Sequence, residues 1–143
     1  MKFYHSGQKI TEINKTGRFG SFLFFLPEND CSYGDVSYSI NIEDSEIASY
    51  DDIKSAMYDD DYQKILPIIK EAMMAFEVDE DEASEILTGE NENFIGDENA
   101  LMQVFQGSCA VALGFKGLKI EDEFSGETIM IDMYNRINEL KEV

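Results

Sequence analysis

Three short segments hold the residue types that do chemistry. The first is Phe3-Tyr4-His5-Ser6-Gly7, which contains the only histidine of the chain. An apolar strand that runs into His-Ser-Gly brings an imidazole, a hydroxyl and a bare glycine backbone to one strand end. Gly7 admits a ligand close to the backbone. Amide and carbonyl groups there can pair with a carboxamide, as in β-augmentation, and the His5 ring can donate to a hydroxyl. A ribose and a carboxamide are what such a segment grips, and NAD carries both. The second segment is Gly17-Arg18-Phe19-Gly20-Ser21-Phe22, where two glycines bracket a turn that delivers aromatics into a strand. Phe19 or Phe22 can stack on a flat ring such as nicotinamide, and Arg18 can meet a pyrophosphate. The third is Ile120-Glu121-Asp122-Glu123-Phe124-Ser125-Gly126. On a strand, Glu121 and Glu123 share one face and Asp122 takes the other. If Asp122 points into a cleft, a carboxylate among apolar neighbours would hold a ribose hydroxyl and steady an oxocarbenium cation, as carboxylates do in glycosidic cleavage. Each segment taken alone also has a plainer reading: a surface histidine, core aromatics after a turn, a solvated acidic loop.

These segments need elements to hold them. Met1 to Tyr4 reads as a short strand, and Ile10 and Ile13 lie on a short helical or turn element. Phe19 to Leu26 is nearly continuous in apolar character, which suits a strand buried on both faces, and Pro27 ends it. Val36, Tyr38, Ile40 and Ile42 alternate with Ser37, Ser39 and Asn41, the period of a half-buried strand. The middle is helical. Ile53, Ala56 and Met57 follow Asp51 and Asp52, which could cap. Tyr62, Ile65, Leu66, Ile69, Met73 and Phe76 form a stripe that Pro67 should kink or restart. Ala83, Ile86 and Leu87 make a short helix closed by Gly89. Asp97 suits an N-cap before an inward stripe of Leu101, Val104, Phe105, Ser108 and Ala112, with Gly114 as the stop. Gly117 to Glu123 and Thr128 to Met133 read as paired strands around a turn at Phe124-Ser125-Gly126. A short terminal helix from Asn135 to Leu140 completes the reading. Strands at both ends with helices between give an α+β class, with a mixed or antiparallel sheet that receives both termini.

Composition bounds the function. The chain has 143 residues with no internal repeat or linker, which favours one domain spanning residues 1–143. Apolar residues make up 43%, enough for a core that buries roughly 68–70% of the unfolded surface. Eleven Lys and Arg against thirty Asp and Glu give a formal net charge of −19. That charge opposes direct binding of nucleic acid through phosphates and of an anionic membrane surface. It favours solubility and a basic protein partner met in fast, salt-sensitive encounters. No apolar run approaches the roughly 20 residues that span a bilayer, and the start lacks a signal peptide's apolar stretch, so a cytoplasmic location is expected. Cys31 and Cys109 form no CxxC and read as reduced thiols. One His and two Cys fall short of a zinc site, so no metal is expected.

Together the three segments resemble the ADP-ribosyltransferase superfamily, in the branch with a His in the first strand, an aromatic in the second and an acid late in the chain. The sequence more closely resembles the anti-CRISPR ADP-ribosyltransferases of phages and mobile elements that act on type I-F surveillance complexes. The residues that carry this are His5 to Gly7, Phe19 to Phe22, Leu113-Gly114-Phe115 and Glu121 to Gly126. Both ends match, and the helical middle matches only in kind. The resemblance implies an α+β fold of split, mixed β-sheets with an inserted helical middle. It implies NAD as substrate and transfer of ADP-ribose to a protein side chain in the bacterial host cytoplasm. The acceptor would be an asparagine of a Cas8-type subunit that reads the DNA motif beside the target. Among the cofactor-binding residues His5, Ser6, Gly7, Phe19 and Phe22, His5 would bind the adenosine-side ribose and the Ser6 backbone the nicotinamide carboxamide. Asp122 would be the catalytic acid. Two departures stand out. The wider superfamily often has Tyr as the central aromatic, where this chain offers Phe22, Phe24 or Phe25, with Tyr33 and Tyr38 further along. Ser125 also lengthens the late turn relative to some relatives.

Two other functions fit parts of the sequence. An acidic chain could mimic DNA and block a nucleic-acid-binding protein by occupancy, which leaves the His-Ser-Gly and glycine–aromatic segments without a purpose. A conflict toxin of the same fold could modify another target, such as a translation factor or tRNA.

Overall fold

The computed structural model describes residues 1–13, 19–28, 36–91, 94–122 and 126–143, with the backbone alone at Glu121, Asp122 and Gly126. The chain is mixed α+β, with two sheets and four helices among these residues. One sheet has three strands in the order β1 (Lys2–Gly7), β3 (Val36–Asn41), β7 (Lys141–Glu142). The other has four, in the order β2 (Phe22–Phe25), β6 (Gly126–Asp132), β5 (Gly117–Asp122), β4 (Ile47–Ala48). All pairs are antiparallel except β4 with β5. Helices α1 (Tyr50–Ala56), α2 (Tyr62–Phe76), α3 (Glu80–Leu87) and α4 (Gly96–Ala112) lie between β4 and β5 in the chain. Both termini enter the same sheet, as strands at both chain ends suggest.

The four-stranded sheet is the middle layer. Its Phe25, Ile129 and Ile131 pack against Phe3 and Ile40 of the three-stranded sheet and against Ile42 just past β3. Its Phe22, Leu118, Ile120 and Met130 pack against Ile53, Ile65, Ile69, Leu87 and Cys109 of the helices. Burial on both faces explains the unbroken apolar run of β6 and of the segment ending at Phe25. Each such side chain contributes about 1.5–3 kcal/mol when fully buried.

Several sequence expectations change. β1 is longer than Met1–Tyr4 and contains His5, Ser6 and Gly7. β2 is only four residues, with Phe19 to Ser21 in a turn before it. Ile10 and Ile13 lie on no helix. Ser37 and Ser39 are buried rather than solvent-facing, because β3 is the central strand of its sheet and Ser37 meets Ser6 hydroxyl to hydroxyl at 2.9 Å. Ser49 holds the N-cap position of α1, and Asp52 closes the capping box by accepting from the Ser49 N–H at 2.8 Å, whereas Asp51 takes no part in it. α2 continues through Pro67 without restarting. The terminal helix is one 3-10 turn, Ile137–Glu139, before β7.

α4 differs most. Leu101 is 38% exposed, whereas Gln106 is fully buried, and the N-cap position is Ile95 rather than Asp97. Gln106 Nε2 donates to the Ile86 carbonyl at 2.8 Å, and its Oε1 accepts from the Tyr50 hydroxyl at 3.2 Å. One amide thus ties α4 to α3 and α1 and leaves no side-chain polar atom of its own unsatisfied. Apolar periodicity cannot detect a stripe whose centre is a glutamine. A second polar staple is Lys116, whose amide donates to Glu46 O and whose ammonium pairs with Glu46 and Glu139.

Candidate functional site

The site lies where the two sheets part. β1 and β2 join by one bridge, in which Tyr4 N–H donates to Leu26 O and Leu26 N–H to Tyr4 O, both at 2.8 Å. Tyr4 therefore turns both backbone groups toward β2. Backbone direction alternates along an antiparallel strand, so His5 turns its groups to β3, and Ser6 again turns its N–H and C=O away from β3. Opposite Ser6 the two strands have diverged, and among the described residues no backbone bond joins them. The β2 carbonyl left over there is that of Phe24. It accepts instead from His5 Nδ1 at 2.8 Å. The histidine side chain thus completes the strand pairing that the split interrupts, and among the described residues the Ser6 amide and carbonyl have no backbone partner on that edge.

The Phe24 carbonyl can only accept, so Nδ1 carries the proton. In the neutral ring Nε2 then has a lone pair and no partner among the described residues. This amends the expectation that His5 donates to a hydroxyl: the neutral ring accepts from one. Nε2 lies beside Gly7, where an added Cβ would stand 3.4 Å from it.

A groove of about 480 Å³ opens at this point. His5 and the segment Gln8–Ile13 line one side, and Gly20, Ser21, Phe22 and Leu23 line the other. The turn before β2 is pinned by Ser21 Oγ, which donates to Asp132 Oδ1 at 2.6 Å. Phe22 is 7% exposed and packs beneath α4. Phe19 meets Phe24 edge-on, with ring centroids 4.8 Å apart. Phe25 is fully buried between the sheets, 5.7 Å from the His5 ring. Of the aromatics weighed for stacking, Phe22 therefore lines the groove, Phe24 supports Phe19, and Phe25 is core. Tyr38 is also buried, with its hydroxyl accepting from Ile10 N–H at 2.9 Å.

Of the predicted cofactor-binding residues, the groove brings together His5 and Phe22; Ser6 and Gly7 follow His5 on β1 without lining it, and Phe19 lies before β2 outside the lining. Asp122 ends β5, in register with Gly126. On that strand it has the parity of Leu118 and Ile120, and β6 lies between it and β2. Its side chain lies outside the described residues, as do Gly17, Arg18, Cys31, Tyr33 and the turn at Glu123 to Ser125. Two rungs away on β6, opposite Ile120, Thr128 Oγ1 is buried with no hydrogen-bond partner among the described residues. Sequence reasoning gave no role of their own to Ser21 or the Gln8–Ile13 wall, because these depend on Asp132 and Tyr38, distant in the chain.

A second hollow, of about 660 Å³, lies among α1, α2 and α3. Tyr58, Tyr62, Glu80, Asp81 and Glu85 line it, and it shares no residue with the His5 groove. It reflects a wider asymmetry. Residues 51–98 hold sixteen acids and three lysines, a formal −13 of the chain's −19.

No protein-family model matches the chain, and no protein of curated function matches it. A solved structure described as "Crystal structure of an anti-CRISPR protein" is similar in fold, with a TM-score of 0.65 at 20% sequence identity, over 100% of this chain and 95% of the other.

Proposed function

We propose that this chain is an NAD-dependent mono-ADP-ribosyltransferase that inhibits a CRISPR surveillance complex. The observation that carries the reading is the open edge at Ser6 beside His5. A carboxamide needs one donor and one acceptor side by side, and the Ser6 C=O and N–H supply that pair. Nε2 of His5, fixed through Nδ1, accepts from a ribose hydroxyl on the adenosine side. Gly7 allows close approach, and Phe22 is the aromatic of the groove lining that we assign to the nicotinamide. The solved anti-CRISPR structure of similar fold supports CRISPR inhibition as the setting, and the motif resemblance points to an asparagine of a Cas8-type subunit.

In the reaction, the bond between ribose C1′ and the nicotinamide nitrogen breaks, and its electron pair leaves with neutral nicotinamide. The ribosyl cation is then captured by the acceptor side-chain nitrogen, which loses one proton. Little covalent chemistry falls to the protein, which positions the reactants and stabilises charge. Asp122 is the residue we assign to the cation. Modification adds bulk and two phosphates where DNA phosphates must bind, so DNA recognition fails by sterics and repulsion.

The test mixes the protein with radiolabelled NAD and a purified type I-F surveillance complex. Label should appear on the complex with wild type and not with Asp122→Ala, while both variants share one circular-dichroism spectrum. The charge of residues 51–98 favours a second reading, occupancy of a basic surface by an acidic mimic. Inhibition that persists without NAD, and with Asp122→Ala, would establish that reading and overturn ours.

A further inference from the structure

We propose that Tyr38 is a positioning residue whose hydroxyl latches the segment Gln8–Ile13 and thereby sets the width of the groove that takes NAD; this rests on the NAD reading above. Tyr38 is the cross-strand partner of His5. Residues directly opposite on paired strands project from the same face of the sheet. From this single rung, His5 holds β2 through the Phe24 carbonyl, and Tyr38 holds the Gln8–Ile13 wall through the Ile10 amide. These are the two walls of one groove.

The latch has little help. Among the described residues, the Tyr38–Ile10 bond is the only hydrogen bond made by Gln8–Ile13. Ile13 packs at the margin of the inter-sheet core, so the far end of the segment has an apolar anchor and its middle has the tyrosine. Tyr38 is 7% exposed, and its buried ring cannot follow the wall outward. When the bond breaks, the wall moves and the ring stays. The phenol touches no residue assigned to carboxamide or ribose, so its effect runs through the wall.

Tyr38→Phe keeps the ring and removes the acceptor. Hydrogen exchange should show the Ile10 amide losing its protection in this variant. The KM for NAD should rise about fivefold to tenfold, the factor one hydrogen bond is worth, while kcat at saturating NAD stays within about twofold. Ile10→Pro deletes the donor from the other side, and the double variant should bind NAD no worse than either single one. Ile10 exposed with the KM unchanged would overturn the latch and leave the NAD reading standing. A fall in kcat with KM unchanged would place Tyr38 in the chemistry and overturn a positioning role. A wild-type chain that neither binds nor turns over NAD would overturn both.

Discussion

Alanine at Gly107 should destabilise the protein, although a helix interior ordinarily gains from that change. Gly107 sits inside α4, where replacing glycine by alanine contributes about 1 kcal/mol of stability through helix propensity alone. Here the added Cβ would stand 2.7 Å from Met130 Cε and 2.8 Å and 2.9 Å from Phe22 Cε1 and Cζ. Carbon atoms prefer separations of about 3.5–4.0 Å, so three atoms must retreat. The Met130 methyl can rotate away. The Phe22 ring is buried in β2 and moves only by leaving its place in the groove wall. Overpacking of this kind costs about 1–3 kcal/mol. Set against the propensity gain, the net loss is about 1 kcal/mol, or about 3–4 °C in melting temperature for a domain of this size. Gly117→Ala supplies the scale. There the Cβ would lie 2.1 Å from the Met130 carbonyl oxygen, a backbone atom held by the β5–β6 ladder, so the strands must separate and the loss should exceed about 3 kcal/mol. Thermal unfolding followed by far-ultraviolet circular dichroism measures both. The reasoning fails if Gly107→Ala raises the melting temperature by about 3 °C, the propensity gain alone. It fails equally if Gly117→Ala melts with the wild type.

Three other outcomes are expected. His5→Ala leaves the Phe24 carbonyl without its donor and should cost about 1 kcal/mol in urea unfolding, together with weaker NAD binding by calorimetry; unchanged values in both would remove His5 from the site. Burial pushes the Cys109 thiol up to about 12, so the Cys31→Ser variant should not react with a disulfide reagent at pH 8 until it is unfolded. Glu46 is held below the usual carboxylate range, first by its hydrogen bond from Lys116 and then by the Glu43 backbone. A depressed folded value stabilises above the unfolded one, about 4.3, and that stability disappears as pH falls through the folded value; the melting difference between wild type and Glu46→Gln should hold from pH 8 to 6 and close in acid.

Much of the fold was legible because its signals are local. The alternation from Val36 to Ile42 marked β3, and the caps and stripes marked α2 and α3. What was not legible depends on partners far away in the chain. Ser37 and Ser39 read as solvent-facing until β1 and β7 flank their strand. Gln106 fell outside the apolar stripe read for α4, and its burial needed the donor and acceptor that α1 and α3 supply. The candidate site divides in the same way. His5, Ser6, Gly7 and Phe22 stood out by residue type, and the structure sets His5 and Phe22 on one groove. The tautomer of His5 needed the Phe24 carbonyl, nineteen residues away, and the role of Tyr38 needed Ile10, twenty-eight residues back.

The position of the site follows from a conflict that any sheet faces when it splits. Two strands that part company leave backbone donors and acceptors unpaired, and burying them unpaired is costly. This chain resolves half of that conflict with a side chain and leaves the other half open. Had residue 5 been apolar, the Phe24 carbonyl would need water, and the groove would be wet where a ribose should sit. Had the strands stayed paired to Gly7, the Ser6 amide and carbonyl would be consumed by β2, and no edge would remain to read a carboxamide. The single bridge at Tyr4 and Leu26 is therefore the feature on which the proposed chemistry depends. A change that extends the pairing from Tyr4 and Leu26 to Ser6 and Phe24 should stabilise the fold and abolish NAD binding together, a combination that a purely structural role for His5 does not produce.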